Sequence, residues 1–131
     1  MSLRFIAKVV LSFFLLTTSY AYAAVNNIKI TCPSVSTVQQ SSQKINNAVK
    51  FDESYIALTS SPAFDKNGMQ WRIEVALNAT SRKEAIALGK KAVEQISFSE
   101  QKYATDPGNG AYYCAYGPDK LAAVYAVVVP K

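Results

Sequence analysis

The side chains that could do chemistry are restricted in type. The chain carries eight tyrosines, two cysteines and no histidine. Without histidine it lacks the commonest general base and the commonest metal ligand. With both cysteines expected in a disulfide, neither a Cys–His nucleophile nor a Cys/His zinc site can be assembled. No phosphate-cradling Gly-Lys loop and no dinucleotide fingerprint is present. Ser41-Ser42-Gln43-Lys44 matches the S-x-x-K spacing of penicillin-interacting serine enzymes, but the two further motifs those enzymes need are missing. Asp52 with Glu53, and Glu100 with Asp106, could in principle serve as acid and base. Neither pair lies in an apolar stretch that would shift a carboxyl pKa, so both read as solvated surface charge. The expectation is a protein that is not an enzyme and uses no metal or cofactor.

Tyrosine is the more suggestive residue. Tyr103, Tyr112, Tyr113, Tyr116 and Tyr125 crowd the C-terminal third, with Lys102 and Lys120 close by in sequence. Aromatic rings interleaved with lysine can form a platform for glycan or peptide. Tyr112, Tyr116, Tyr103, Lys102 and Lys120 are therefore the candidate binding surface. On a strand, Tyr112, Cys114 and Tyr116 share one face and Tyr113 points to the other. The competing reading packs Tyr112 and Tyr116 around the disulfide and leaves Tyr113 in an interface. Asn78-Ala79-Thr80 is a glycosylation sequon that matters only in a eukaryote, and its position suits a turn.

Residues 1–23 have the three parts of a secretory signal. Arg4 and Lys8 give the positive start, Val9 to Leu16 is apolar apart from Ser12, and Ala21-Tyr22-Ala23 is a small-x-small cleavage site. The apolar run is far shorter than the ~20 residues of a membrane span, and no other stretch approaches that length. The expected working form is thus residues 24–131, a single small domain without a membrane span, secreted or periplasmic. An oxidising compartment and only two cysteines give one possible pairing, Cys32–Cys114. The formal charge of +5 falls by two when Arg4 and Lys8 leave. Charges of both signs are spread along the rest, with no basic tract for nucleic acid.

The elements that must position these residues read as α+β, with a mainly antiparallel sheet, one helix packed on a face, and the single disulfide. Ile28 to Thr31 predicts a short strand. Ser34 to Ala48 is polar and predicts mostly a long surface loop, with a helical turn after Pro33. Asn67-Gly68 predicts a two-residue hairpin turn. That register pairs Lys66 with Met69, Phe64 with Trp71, Pro62 with Ile73, Ser60 with Val75 and Leu58 with Leu77. Pro62 has no N–H to donate, so its strand should lie at an edge or bulge there. Ser81 to Ile96 predicts a helix with a Ser81/Glu84 capping box. Its apolar stripe is Ala85, Ile86, Leu88, Ala92, Val93 and Ile96, facing the Trp71–Leu77 side of the sheet. Gly89 near the stripe suggests close approach of helix and sheet. Ala111 to Tyr116 and Leu121 to Val129 predict two more strands. The last is apolar on both sides, as in a central strand covered on both faces.

Together the signal, Cys32-Pro33-Ser34 at the opening of the domain, Trp71 in a mid-chain strand and Cys114-Ala115-Tyr116 near the end resemble a family of small exported bacterial proteins of unknown function. The resemblance implies a bacterial source and a periplasmic or secreted location, and it carries over no catalytic residue. The functional expectation is a non-catalytic binding or interaction protein. Its partner would be a protein or a cell-envelope glycan, met at the tyrosine surface or at the polar Ser34–Asn47 loop. The alternative is a secreted enzyme inhibitor or host-directed effector using that loop. A small histidine-free hydrolase is the third class.

Overall fold

The computed structural model describes residues 29–108, 110–118 and 122–130. The expected export signal and cleavage site, like Lys120, lie outside the described residues.

The first element is the helical turn expected after Pro33, extended to six residues, and the polar stretch after it is structured as well. Ser34 caps α1 (Val35–Gln40), its hydroxyl accepting from the Thr37 N–H at 3.2 Å. Satisfying that otherwise unpaired N–H lets a polar segment start a helix. Val38 supplies the anchor and is fully buried. At the other end the Ser41 hydroxyl donates back to the Val38 carbonyl at 2.6 Å. One 3₁₀ turn (Ser42–Lys44) then leads into β1 (Ile45–Phe51). The Ser34–Ala48 segment is therefore structured and packed. Its serines and asparagines serve caps and turns, which composition alone does not separate from a loop. Ile28–Thr31 goes the other way: of its described residues, only Thr31 makes a bridge, to Tyr103.

The strands that follow are β2 (Ser54–Thr59), β3 (Phe64–Lys66), β4 (Met69–Leu77), β5 (Phe98–Ser99), β6 (Tyr113–Gly117) and β7 (Ala122–Val128). They form one antiparallel sheet in the order β1-β2-β4-β7-β6-β5, with β3 also pairing β4. Asn67 and Gly68 turn the β3–β4 hairpin with positive φ at both positions. Near the turn the register is as expected, Lys66 facing Met69 and Phe64 facing Trp71.

Beyond Phe64 the register slips by three residues. Leu58 faces Glu74 and Ala57 faces Val75, so the Pro62–Ile73, Ser60–Val75 and Leu58–Leu77 pairs do not form. Pro62 cannot donate to the ladder, and the chain bulges out around it. Ala63 rejoins by donating to the Trp71 carbonyl at 2.7 Å, and the Thr59 hydroxyl accepts the Ile73 N–H at 3.3 Å. An odd slip exchanges faces. Ala57 therefore turns into the core, and Ile56 and Leu58 are half-exposed on the opposite side of the sheet.

The helix α2 (Arg82–Glu94) covers one face, over β1, β2 and β4. Ser81 caps it, accepting from the Glu84 N–H at 3.1 Å. The Glu84 carboxylate accepts from the Thr80 hydroxyl at 2.7 Å, so the expected reciprocal capping box is replaced by a longer reach back. Ala85, Gly89, Val93 and Ile96 are the buried residues of this segment, while Leu88 is largely exposed. The Gln39 amide donates to the Ile96 carbonyl at 2.7 Å and ties α1 to the end of α2. Between helices and sheet lies the core of Val38, Ile45, Trp71, Ile73, Val75, Tyr116, Val124 and their neighbours. Cys32 and Cys114 are bridged across a separation of 82 residues. The bridge joins the segment before α1 to β6 and accords with an oxidising location. Among the described residues no helix is long and apolar enough to cross a membrane.

As expected, β7 is central, between β4 and β6. Only its core face is buried. Ala123, Tyr125 and Val127 are half-exposed on the side away from α2, so the sheet has one covered face and one open face.

Candidate functional site

Strand alternation sorts the tyrosines. Tyr116 pairs with Val124 and Cys114 with Ala126, all four on the covered face. Tyr116 is 1% exposed, and its hydroxyl donates to the Pro33 carbonyl at 2.5 Å. Burial pushes its phenol well above the ordinary tyrosine range. Tyr116 is thus a core residue beside the disulfide and does not belong to the candidate surface. Tyr112 is half-buried against the same core, and its carbonyl accepts from the Val128 N–H at 2.9 Å.

Tyr113 takes the opposite direction. In the register it faces Val127, while Ala115 faces Tyr125 and Glu74 faces Tyr125 from β4. These residues share the open face. The Tyr113 and Tyr125 rings meet edge-to-face, centroids 5.6 Å apart and planes at 86°. This is a favoured aromatic geometry. Beside them Arg72 and Glu74 form an ion pair at 3.1 Å, the sole one among the described residues, each side chain about one-third exposed. Among the described residues the Arg72 Nε is buried with no hydrogen-bond partner, and its Nη2 donates to the Glu74 carboxylate.

A shallow groove opens here, about 270 Å³ in volume, lined by Glu74, Pro107, Ala111, Tyr113, Tyr125 and Val127. Its wall is the turn before β6. The Asp106 carboxylate accepts from the N–H groups of Gly108 at 2.8 Å and Gly110 at 3.2 Å, and both glycines have positive φ. Asp106 is therefore a turn-shaping residue. Tyr125 and Tyr113 are the residues that matter here, and sequence reading did not place them in the candidate surface. The signal was available in principle: both sit at odd positions of strands whose even positions carry the disulfide and the core.

Tyr103 and Lys102 lie elsewhere, on the chain running along the outer side of β6. Thr105 bridges to Tyr113, and Tyr103 bridges to Thr31. Tyr103 is 39% exposed, with the ammonium groups of Lys29 and Lys102 at 5.1 and 5.5 Å from its ring centroid. A second depression of about 370 Å³ lies at the other end of the sheet, lined by Leu77, Asn78, Leu88, Lys91, Ala92, Gln95 and Ala122.

The remaining chemical candidates serve structure. The Ser41 hydroxyl donates to the Val38 carbonyl and the Lys44 ammonium to the Ala63 carbonyl. Asp52 and Glu53 occupy the exposed β1–β2 turn, where Asp52 has φ 54°. Asn78 accepts from the Ser54 hydroxyl at 3.1 Å. Among the described residues no three Cys, Asp or Glu side chains gather to hold a metal. No family model, curated protein or solved structure matches the chain.

Proposed function

We propose that this is an exported, non-catalytic binding protein whose ligand is a glycan of the cell envelope, taken on the open sheet face. The observation that carries this reading is the Tyr113/Tyr125 groove with the Arg72–Glu74 pair at its side. Aromatic rings give the apolar C–H face of a sugar a flat partner without a large entropic cost in ordering the side chains. A guanidinium and a carboxylate supply planar donors and acceptors for ring hydroxyls, and a charged partner makes such bonds stronger. The groove is smaller than the ~300–1,000 Å³ typical of sites that enclose a small molecule. It suits a chain of sugars laid across the sheet, with one ring in the groove.

The disulfide supports export, since such bonds persist in oxidising compartments. The inhibitor reading drew on a protruding polar loop at Ser34–Asn47. That segment is α1, the 3₁₀ turn and the start of β1, with Val38, Ser41, Ser42 and Ile45 buried, so it offers no such loop.

The test is binding to isolated peptidoglycan sacculi and to soluble oligosaccharides of the same sugars, followed by Tyr fluorescence and co-sedimentation. Saturable binding, weakened at least about tenfold in Tyr125→Ala and in Tyr113→Ala, is the expected result. Retention of binding in both variants, or binding by neither preparation, would remove the groove as the site.

A further inference from the structure

The depression beside α2 has the size and the lining of a small-molecule site. Its volume is about 370 Å³, inside the ~300–1,000 Å³ range of such sites. Leu77 and Ala122, cross-strand partners at the ends of β4 and β7, supply one wall. Leu88, Lys91, Ala92 and Gln95 supply the other. Their spacing places them on one stripe along α2 and its C-cap. That stripe is not the one that seats the helix. Ala85, Gly89 and Val93 are the buried residues of α2, and Gly89 brings it close to Ala57 and Ile45. Leu88 stands one step round from Gly89 and stays 39% exposed at the cavity.

The lining contains no aromatic ring, so it offers a sugar nothing on which to stack. Apolar contact with Leu77, Leu88, Ala92 and Ala122 is non-directional and suits a flexible hydrocarbon chain. Among the described residues that line the cavity, Lys91 alone is charged, and Asn78 and Gln95 are neutral amides. The acids of α2 are engaged elsewhere. Glu94 accepts from the Ser42 hydroxyl at 3.3 Å and the Gln43 amide at 3.0 Å, and Glu84 accepts from the Thr80 hydroxyl at 2.7 Å. A cation beside an aliphatic wall complements a ligand with a hydrocarbon body and one negative charge.

We propose that this depression binds an aliphatic carboxylate of the fatty-acid class. Its chain lies against Leu77, Leu88, Ala92 and Ala122, and its carboxylate accepts from the Lys91 ammonium. The site shares no residue with the glycan groove and stands whether or not that reading holds.

The experiment uses the protein recovered from an exporting host with its disulfide intact. Decanoate is titrated below its micelle-forming concentration while the Leu77, Leu88, Ala92 and Ala122 amides are followed by NMR. Decanol serves as the same chain without charge, and acetate as the same charge without the chain. Saturable shifts confined to the cavity amides are expected with decanoate, with decanol about three- to fivefold weaker and acetate inert. That ratio is the worth of one exposed ion pair. Lys91→Gln should reduce decanoate to the level of decanol and leave decanol unchanged. Leu88→Ser should weaken both by about fivefold or more. Leu88 is outside the buried set, so the rest of the spectrum should report an intact fold in that variant. Absence of saturation, or shifts spread over the open sheet face as a detergent would give, would overturn the proposal. So would equal binding of decanoate and decanol, a comparison that needs no variant, or undiminished binding in Leu88→Ser.

Discussion

The close approach of α2 to β2 is testable with one methyl group. A Cβ added at Gly89 would stand 2.7 Å from the Ala57 Cβ, with Ile45 Cγ2 at 3.7 Å and Cδ1 at 3.9 Å. Carbon atoms prefer about 3.5–4.0 Å, so the overlap with Ala57 is roughly 1 Å. Neither partner can swing aside, because each would be a Cβ fixed to its backbone. Helix and sheet must separate locally. In an unstrained helix, Gly→Ala gains about 1 kcal/mol. Overpacking a close-packed core costs about 1–3 kcal/mol. Here the methyl meets the middle of β2, which is held by β1 on one side and β4 on the other. The overpacking term should win, leaving Gly89→Ala less stable by up to about 2 kcal/mol. With a urea slope of about 2 kcal/mol/M, the unfolding midpoint falls by up to about 1 M at unchanged slope. Ala57→Gly removes the atom that is struck, at its own cost in a strand. In that background Gly89→Ala should become neutral or stabilising, a coupling that independent sites do not show. A Gly89→Ala protein more stable than wild type by the full helical gain would refute the reasoning. It would mean that α2 rides higher on the sheet than the 2.7 Å contact requires.

Other outcomes follow from the same core and sites. Tyr116→Phe should lose about 1–2 kcal/mol, because the buried Pro33 carbonyl loses its donor, seen as a lower urea midpoint. The Tyr116 phenol is neutral when folded and has a raised pKa, so the unfolded chain loses this proton first as pH rises. Stability should therefore be complete below the ordinary tyrosine pKa of about 10 and decline above it, and the decline should be shallower in Tyr116→Phe. Reducing the Cys32–Cys114 bridge should cost about 3–5 kcal/mol by the loop-closure argument, measured as the midpoint shift with dithiothreitol. Tyr125→Ala, on the half-exposed open face, should leave the near-ultraviolet signature of Trp71 intact while weakening glycan binding.

Several parts of this protein were legible in its sequence, because they rest on local chemistry or on elimination. Two cysteines leave one pairing within the chain. Asn67-Gly68 tolerates the positive φ of a two-residue turn wherever it occurs, and Ser81 caps the helix at its side. The division of Tyr112, Cys114 and Tyr116 from Tyr113 follows from the alternation of any strand. What alternation does not say is which face a helix will cover. Tyr116 and Tyr113 differ by an odd step, and only the placement of α2 and the disulfide made the first core and the second surface. The polar Ser34–Ala48 segment likewise needed Val38 and Ile45 to find their burial before its serines could be read as caps.

The β2 register was a tertiary decision as well. From the Asn67-Gly68 turn, unbroken pairing runs Leu58 to Leu77 and sets Leu58 in the core. Pro62 breaks the ladder, and the slip of three brings Ala57 inward instead. A small residue there admits Gly89 of α2, and the same slip leaves Ile56 and Leu58 on the open face beside Glu74 and Tyr125. The sequence by itself determined the turns, the main helix, the strands near the turn and the bridge. The tertiary structure decided the register across the bulge and the face left uncovered, because both depend on contacts between residues far apart in the chain.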